Sequence, residues 1–185
     1  MKITKLPVFF EGKSYMFETF MGLLLEKSCN EKSTTKEDFS PKVAEALSLN
    51  NNPFTLQKLQ GNIKKEIPKI SILTKLYVKA LIRVCKVAFL IARIFTLFRL
   101  PIFENSTEAI LIFRKTATKY LQSDLCLPRA LFAAVTSKKF KDKGVVFIGV
   151  SLPSKSMHAW VIEEDVQPDP YDGIWINFQP VAVIW

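Results

Sequence analysis

Apolar residues in the second half of the chain recur first with a helical period and then with the period of strands. Asn105 and Glu108 have the spacing of a capping box, and the apolar positions after them recur every three or four residues to about residue 122, which predicts a helix. Its apolar face consists of Ile110, Phe113, Ala117 and Leu121. Apolar stretches at 145–150, 157–162 and 174–178 predict strands, and the apolar end at 181–185 is expected to pack in the same sheet.

A second helix is predicted to begin near Cys126. Ser123 and Asp124 are residue types that cap helix N-termini, and Pro128 is tolerated within a first helical turn. Four apolar residues continue at helical spacing: Ala130, Leu131, Ala134 and Val135. A basic turn at 138–144 separates this helix from the next strand; its four lysines are either a solvated surface or a site that attracts an acidic peptide.

The front of the chain is predicted to open with a hairpin over residues 1–16, whose turn lies at 11–13. A short helix is predicted over 17–25 and a polar loop over 29–38. Ser40 and Pro41 are a suitable cap and first residue for a helix through residue 49, and a weaker helix is predicted over 55–65.

Residues 69–100 predict one long amphipathic helix or two shorter ones. Its basic residues, Lys75, Lys79, Arg83, Lys86 and Arg93, fall within roughly 80° of one another at about 100° per residue. The longest uncharged run, 87–92, is far shorter than the ~20 apolar residues of a membrane span. A core helix with a solvated basic stripe is the simplest interpretation; a lipid-surface helix and a docking face for a partner enzyme are the alternatives.

The composition narrows the classes of protein that fit. With 185 residues and 49% hydrophobic content, the chain can bury a core, and 26 Lys+Arg against 17 Asp+Glu give a net charge of +9 that favours an acidic partner. Nucleic acid is disfavoured because there is no zinc-ligand spacing or helix-turn-helix signature. Three scattered cysteines and one histidine predict neither a disulfide framework nor a metal site, and the cysteines and the absence of an export signal favour a reducing, cytoplasmic location.

Cys126 and His158, the only histidine, are the one pair that offers nucleophilic chemistry. A cysteine at a helix start is favoured as the thiolate, and an imidazole on a neighbouring strand could take and return its proton. Asp169 is the best placed of the following carboxylates to orient the ring if 163–166 forms a turn. The plainer interpretation is that the cysteine is a small buried side chain and the histidine a core residue.

Several sequence blocks occur in the order found in the microcin-processing B proteins of lasso-peptide biosynthesis. The blocks are Cys126-Leu127-x-Arg129-Ala130-Leu131, Ile148-Gly149-Val150, His158-Ala159-Trp160-Val161 and Phe178-x-Pro180-Val181. The chain resembles this family over roughly residues 105–185. The resemblance implies a papain/transglutaminase-like fold in which the nucleophile begins a helix that packs on an antiparallel sheet.

The same resemblance implies the roles of individual residues. Cys126 corresponds to the nucleophile, His158 to the base and Asp169 to the carboxylate that completes the site, with Asp172 as the alternative. The division that follows is a core at 105–185, an amphipathic segment at 66–104 and a mostly helical N-terminal part at 1–65. A hairpin followed by short helices is compatible with a leader-recognition module, and an elaboration of the protease fold is the alternative for this part.

The function implied is that of a cysteine endopeptidase that removes the leader from a ribosomally made lasso-peptide precursor beside an asparagine-synthetase-like cyclase. The chain has no phosphate-binding loop, so no cofactor is expected and any ATP requirement belongs to the cyclase. Three alternatives stay open: a transglutaminase-like acyltransferase, a non-catalytic peptide-binding subunit, and a membrane-surface protein.

Overall fold

A computed structural model describes most of the second half of the chain and separate pieces of the first half. The described residues are 3–10, 13–18, 23–27, 41–50, 71–72, 76, 79–80, 101–120, 126–152, 154, 156–164, 168–169, 172 and 174–185. They form an α+β fold of helices and antiparallel sheets, which is the class that the sequence predicts.

The structure gives the bounds of seven strands and four α-helices. The strands are β1 (Ile3–Lys5), β2 (Val8–Phe10), β3 (Lys13–Glu18), β4 (Leu23–Lys27), β5 (Gly144–Ser151), β6 (Ser156–Glu163) and β7 (Gln179–Ile184). The helices are α1 (Pro41–Asn50), α2 (Ser106–Tyr120), α3 (Cys126–Thr136) and α4 (Phe140–Lys143), and a 3-10 helix spans Trp175–Asn177. One antiparallel sheet has the order β1-β7-β5-β6 and a second has the order β2-β3-β4.

Helix α3 is the centre of the fold. Every residue from Pro128 to Thr136 is buried, because α3 packs on α2 at one side and on strands β5 and β6 at the other. A helix that is apolar on all sides has this central position in a layered fold. Helix α2 begins where it was predicted: the Asn105 side chain accepts from the backbone N–H of Glu108 at 3.0 Å.

The four-stranded sheet buries apolar side chains on both faces. Alternate residues of β5 and β6 point toward α2 and α3, among them Val146, Ile148 and Val161. The intervening residues form a second cluster, which includes Phe147, Trp160, Trp175 and Leu47 of α1. Both faces are therefore covered, and the sheet is an internal layer.

The front hairpin and α1 are confirmed, but the predicted helix over 17–25 is wrong. Strand β2 pairs with β3, and β3 pairs with β4 from Glu18 opposite Leu23 to Ser14 opposite Lys27. A short apolar run suits a strand as well as a helix, and here the neighbouring strand decides. The described part of 1–65 holds four strands and one helix, so the expectation that this part is mostly helical is wrong there.

The first strand ties the chain's beginning to the core sheet. β1 pairs with β7, and the N–H of Leu6 donates to the carbonyl of Val181 at 2.8 Å. Residues 3–6 thus share a sheet with β5–β7, although the division at 65 and 104 stays a prediction. The predicted helix over 55–65 and most of the segment 69–100 lie outside the described residues. Of the few residues described within 69–100, four are helical: Ile72, Leu76, Lys79 and Ala80.

No helix within the described ranges has both the length and the apolar character needed to cross a membrane.

The predicted strand at 174–178 is also wrong, because its centre is a 3-10 helix. Trp175 is buried against Trp160, whereas Ile174 and Ile176 on either side are exposed. One tight turn gives the same alternation of burial as a strand and directs the chain into β7.

A buried carboxylate joins three elements of the core. Glu163, at the end of β6, accepts hydrogen bonds from the backbone N–H of Ser106 at 2.8 Å and from its hydroxyl at 2.6 Å. It also accepts from the hydroxyl of Ser137, just after α3, at 2.7 Å. The side chain therefore fastens the start of α2 and the end of α3 to the sheet.

Glu163→Ala is expected to lower the free energy of unfolding by about 3 kcal/mol, because three buried donors lose a charged acceptor. Glu164→Ala is the matched control. Glu164 pairs with Lys139 and Lys143 at the surface, so its loss is expected to cost less than about 1 kcal/mol. Urea unfolding measures both variants, and equal losses would contradict the assignment of Glu163 as the fastening residue.

Candidate active site

Cys126 is the first residue of α3 and is half-buried against the core. The first turn of a helix carries backbone N–H groups without intrahelical partners and the positive end of the helix dipole. The sulfur therefore lies where a negative charge is stabilised.

His158 lies on β6, opposite Gly149 of β5, and is 7% exposed. Its ring stacks with that of Trp160 at a centroid distance of 6.1 Å and contacts the ring of Phe178 at 5.1 Å. A Cβ atom on Gly149 would lie 2.7 Å from the Trp160 ring, so the glycine makes room for the indole beside the imidazole. Two aromatic side chains and the sheet thus fix the ring of His158.

The structure places Cys126, His158 and Asp172 next to one another. The His158 side chain and the backbone N–H of Ala159 both act to lower the pKa of the Cys126 thiol, so both lie within hydrogen-bonding reach of the sulfur. Nε2 of His158 lies 2.7 Å from Oδ2 of Asp172. Because Asp172 occupies Nε2, Nδ1 is the ring nitrogen that remains for the thiol.

Asp169, which the sequence placed on the imidazole, lies elsewhere. Its Oδ2 is 2.9 Å from Nε of Arg129 and 2.8 Å from Nη2 of Arg114. The N–H of Asp172 donates to the carbonyl of Asp169 at 3.2 Å, and the carboxylate that reaches His158 is Asp172.

Arg129 and Arg114 belong to the surroundings of the site, although the sequence gave them no role. Arg129 follows Cys126 by three residues on α3, which places both on one helix face, and its Nη2 is 3.6 Å from Oδ2 of Asp172. The sequence did contain a signal for Arg129, because an arginine within an otherwise apolar helix must be buried with an anionic partner.

The two ends of the hydrogen-bonded pair favour transfer of the thiol proton to the ring. Burial raises the pKa of the Cys126 thiol, but the hydrogen bonds from His158 and Ala159 and the charges of His158 and Arg129 outweigh it, so the pKa lies below 9.0. Burial lowers the pKa of His158, yet the hydrogen bonds and charges of Asp172 and Cys126 raise it from 6.5 to about 9. Both shifts act in the direction that favours a thiolate–imidazolium pair over a neutral thiol and imidazole.

Alkylation of Cys126 by iodoacetamide is expected to persist below pH 9 and to slow as the pH falls through the lowered thiol pKa. His158→Ala removes interactions that lower the thiol pKa, so alkylation should reach the same rate only at a higher pH. Mass spectrometry of the peptide that contains Cys126 measures its alkylation rate separately from those of Cys29 and Cys85. A profile centred near pH 9 in both proteins would contradict the ion pair.

The basic turn after α3 is largely neutralised by glutamates. Lys138 pairs with Glu104 at 3.0 Å, while Lys139 and Lys143 pair with Glu164 at 2.8 and 2.7 Å. This arrangement favours the solvated-surface interpretation over a site for an acidic peptide.

In the part of the chain that the structure describes, no group of three or more His, Cys, Asp and Glu side chains is placed to hold a metal ion.

Comparison with protein families, curated proteins and solved structures gives no match. Any activity assigned to the site therefore depends on its geometry and on the sequence blocks.

Proposed function

We propose that this protein is a cysteine endopeptidase that removes the leader from a ribosomally made lasso-peptide precursor. The observation that carries the proposal is the order of Cys126, His158 and Asp172 at the start of a buried helix: Asp172 is hydrogen-bonded to His158, and His158 lies within hydrogen-bonding reach of Cys126. A nucleophile, a base and a carboxylate that orients the base are the parts that acyl transfer needs.

In the proposed reaction, Cys126 and His158 each act once while the thioester forms and once, in reverse, while it is hydrolysed. The Cys126 thiolate adds to the carbonyl carbon at the leader–core junction, and the imidazolium of His158 gives its proton to the amine as the C–N bond breaks. The leader is then a thioester on Cys126, and the core has a free amino terminus. Neutral His158 takes a proton from water as the water adds to the thioester, and the leader leaves as a carboxylic acid while the thiolate returns.

Asp172 takes the role that the sequence expected of Asp169. Its hydrogen bond to Nε2 keeps Nδ1 directed at Cys126 and stabilises the positive charge on the ring. The start of α3 also offers backbone N–H groups for the oxyanion that forms at the carbonyl.

The substrate class comes from the resemblance to the lasso-peptide B proteins. A papain/transglutaminase-like core is supported by a nucleophile that begins a central helix and a histidine on the adjacent antiparallel strand. By the same resemblance, an asparagine-synthetase-like cyclase is the partner that uses ATP, and the reaction takes place in the cytoplasm.

Incubation of the protein with precursor peptides that carry leader and core tests the proposal by mass spectrometry. The expected products are a leader that ends in a free carboxylate and a core with a free amino terminus. Addition of a primary amine in excess distinguishes hydrolysis from acyl transfer, because an acyltransferase would yield a leader–amine adduct. Precursor that stays intact with and without the amine, and with and without the cyclase, would contradict the proposal.

A further inference from the structure

Three buried charges and one half-buried charge, that of Arg114, lie in a row behind the imidazole. Arg114 of α2 contacts Asp169, Asp169 contacts Arg129 of α3, Arg129 faces Asp172, and Asp172 accepts from His158. The side chains of Arg129, Asp169 and Asp172 are 6%, 3% and 2% exposed, respectively, so water screens their interactions weakly.

Arg129 is placed to act on both carboxylates at once. A guanidinium is a rigid fork that can direct separate N–H groups at separate acceptors. Its Nε lies 2.9 Å from Oδ2 of Asp169, whereas its Nη2 lies 3.6 Å from Oδ2 of Asp172. The closer contact is with Asp169, and Oδ2 of Asp172 keeps its shorter contact of 2.7 Å with His158.

We infer that Arg129 and Asp169 are positioning residues for the imidazole: Asp169 holds the guanidinium, and the guanidinium fixes Asp172 against His158. This inference rests on the proposed function, because it assigns the pair to the same site. Without Asp169, the guanidinium would turn toward Asp172 and compete with His158 for its oxygen. Arg114, from α2, holds Asp169 from the far side.

Two charged or titratable groups act directly on His158: Cys126 of α3 and Asp172, which follows β6 in the chain. Arg129 of α3 lies one step further away, beside Asp172. The aromatic neighbours Trp160 and Phe178 are uncharged. A change in the ionisation of His158 therefore reports on this set of charges.

The test is nuclear magnetic resonance of the full chain labelled with 13C and 15N at histidine and free of any added histidine tag. His158 is the only histidine, so each ring nucleus gives one assigned signal. The 13C shift gives its pKa, and the 15N shifts above that pKa show which ring nitrogen carries the proton. The variants are Asp169→Asn, which keeps the side-chain volume, and Arg129→Lys, which keeps the charge. Asp142→Asn on α4 is the matched control for the change of charge.

In the unchanged protein and in Asp142→Asn, the proton of the neutral ring is expected on Nε2. Asp169→Asn is expected to lower the pKa of His158 by about one unit and to give a mixture of both ring tautomers. Arg129→Lys should also give the mixture, because an ammonium group cannot span the two carboxylates.

Two results would overturn the inference. The first is a wild-type pKa and a single tautomer in both variants with only a lower melting temperature, which means a purely structural role. The second is a lower pKa in Asp169→Asn with one tautomer kept in both variants, which means that charge alone acts. If Arg129→Lys does not fold, the tautomer in Asp169→Asn decides. The readout needs no substrate, so a protein that cleaves no precursor would refute the proposed function and still test this inference.

Discussion

Replacing Cys126 with alanine is expected to abolish release of the leader, with a loss of about 10⁶-fold in kcat. The thiolate is the only group in the proposed reaction that forms a bond to the carbonyl carbon, and alanine offers nothing in its place. The fold should survive, because Cys126 is a half-buried residue in the first turn of α3 and alanine is the best helix former. Cleavage followed by mass spectrometry, with a thermal melt of the same sample, measures both effects.

Cys85→Ala is the matched control for this experiment, because Cys85 lies in the amphipathic segment at 66–104 and outside the sequence blocks that carry the proposed site. Its cleavage rate is expected to stay within about twofold of the unchanged protein, as is usual for a substitution outside the reacting groups. Normal processing by Cys126→Ala would instead favour the non-catalytic peptide-binding subunit, in which the cysteine is a core residue.

Asp172→Asn is expected to lower kcat by roughly 10³–10⁴-fold, the range seen when the orienting carboxylate of a catalytic histidine is replaced by an amide. The amide can donate to Nε2 and so favours the tautomer with the proton on Nδ1, where the ring cannot accept one from the thiol. It also removes the negative charge that stabilises the imidazolium. KM should change little, because Asp172 acts on the ring and not on bound substrate.

The comparison with Asp169→Asn decides between the two carboxylates. Asp169 acts on the ring only through Arg129, so its replacement is expected to cost far less than that of Asp172. Asp142→Asn at the surface should leave kcat unchanged. A larger loss in Asp169→Asn than in Asp172→Asn would restore the assignment made from the sequence.

Local signals in the sequence were enough to locate the helix and the strand that carry the chemistry. The capping pair Asn105 and Glu108 marks the start of α2, and the tolerance of Pro128 within a first turn places Cys126 at the start of α3. The alternation from Met157 to Ile162 marks β6 and therefore locates His158. Each of these features depends only on residues that lie close together in the sequence.

The choice between the two aspartates depended on contacts between distant residues, which no local pattern encodes. Glu164 has a positive φ of 51°, a left-handed conformation that turns the chain out of β6. Arg129 and Arg114, from two different helices, then capture the nearer carboxylate. A partner 40 or more positions away in the chain decides which aspartate remains for His158.

The apolar runs at 17–25 and 174–178 were misassigned for a related reason. Short runs fit a strand, a helix or a tight turn equally well, and the neighbouring element selects among them. Strand β3 selects a strand for the first run, and the packing of Trp175 on Trp160 selects a 3-10 helix for the second.

The pKa of His158, read from the single histidine signal in nuclear magnetic resonance, is the most direct test that this ring and Cys126 form one ion pair. We expect a pKa of about 9 in the unchanged protein. In Cys126→Ala the pKa should fall, because the sulfur that stabilises the imidazolium is gone. A pKa near 6.5, the same with and without the Cys126 sulfur, would show that the two side chains do not form an ion pair.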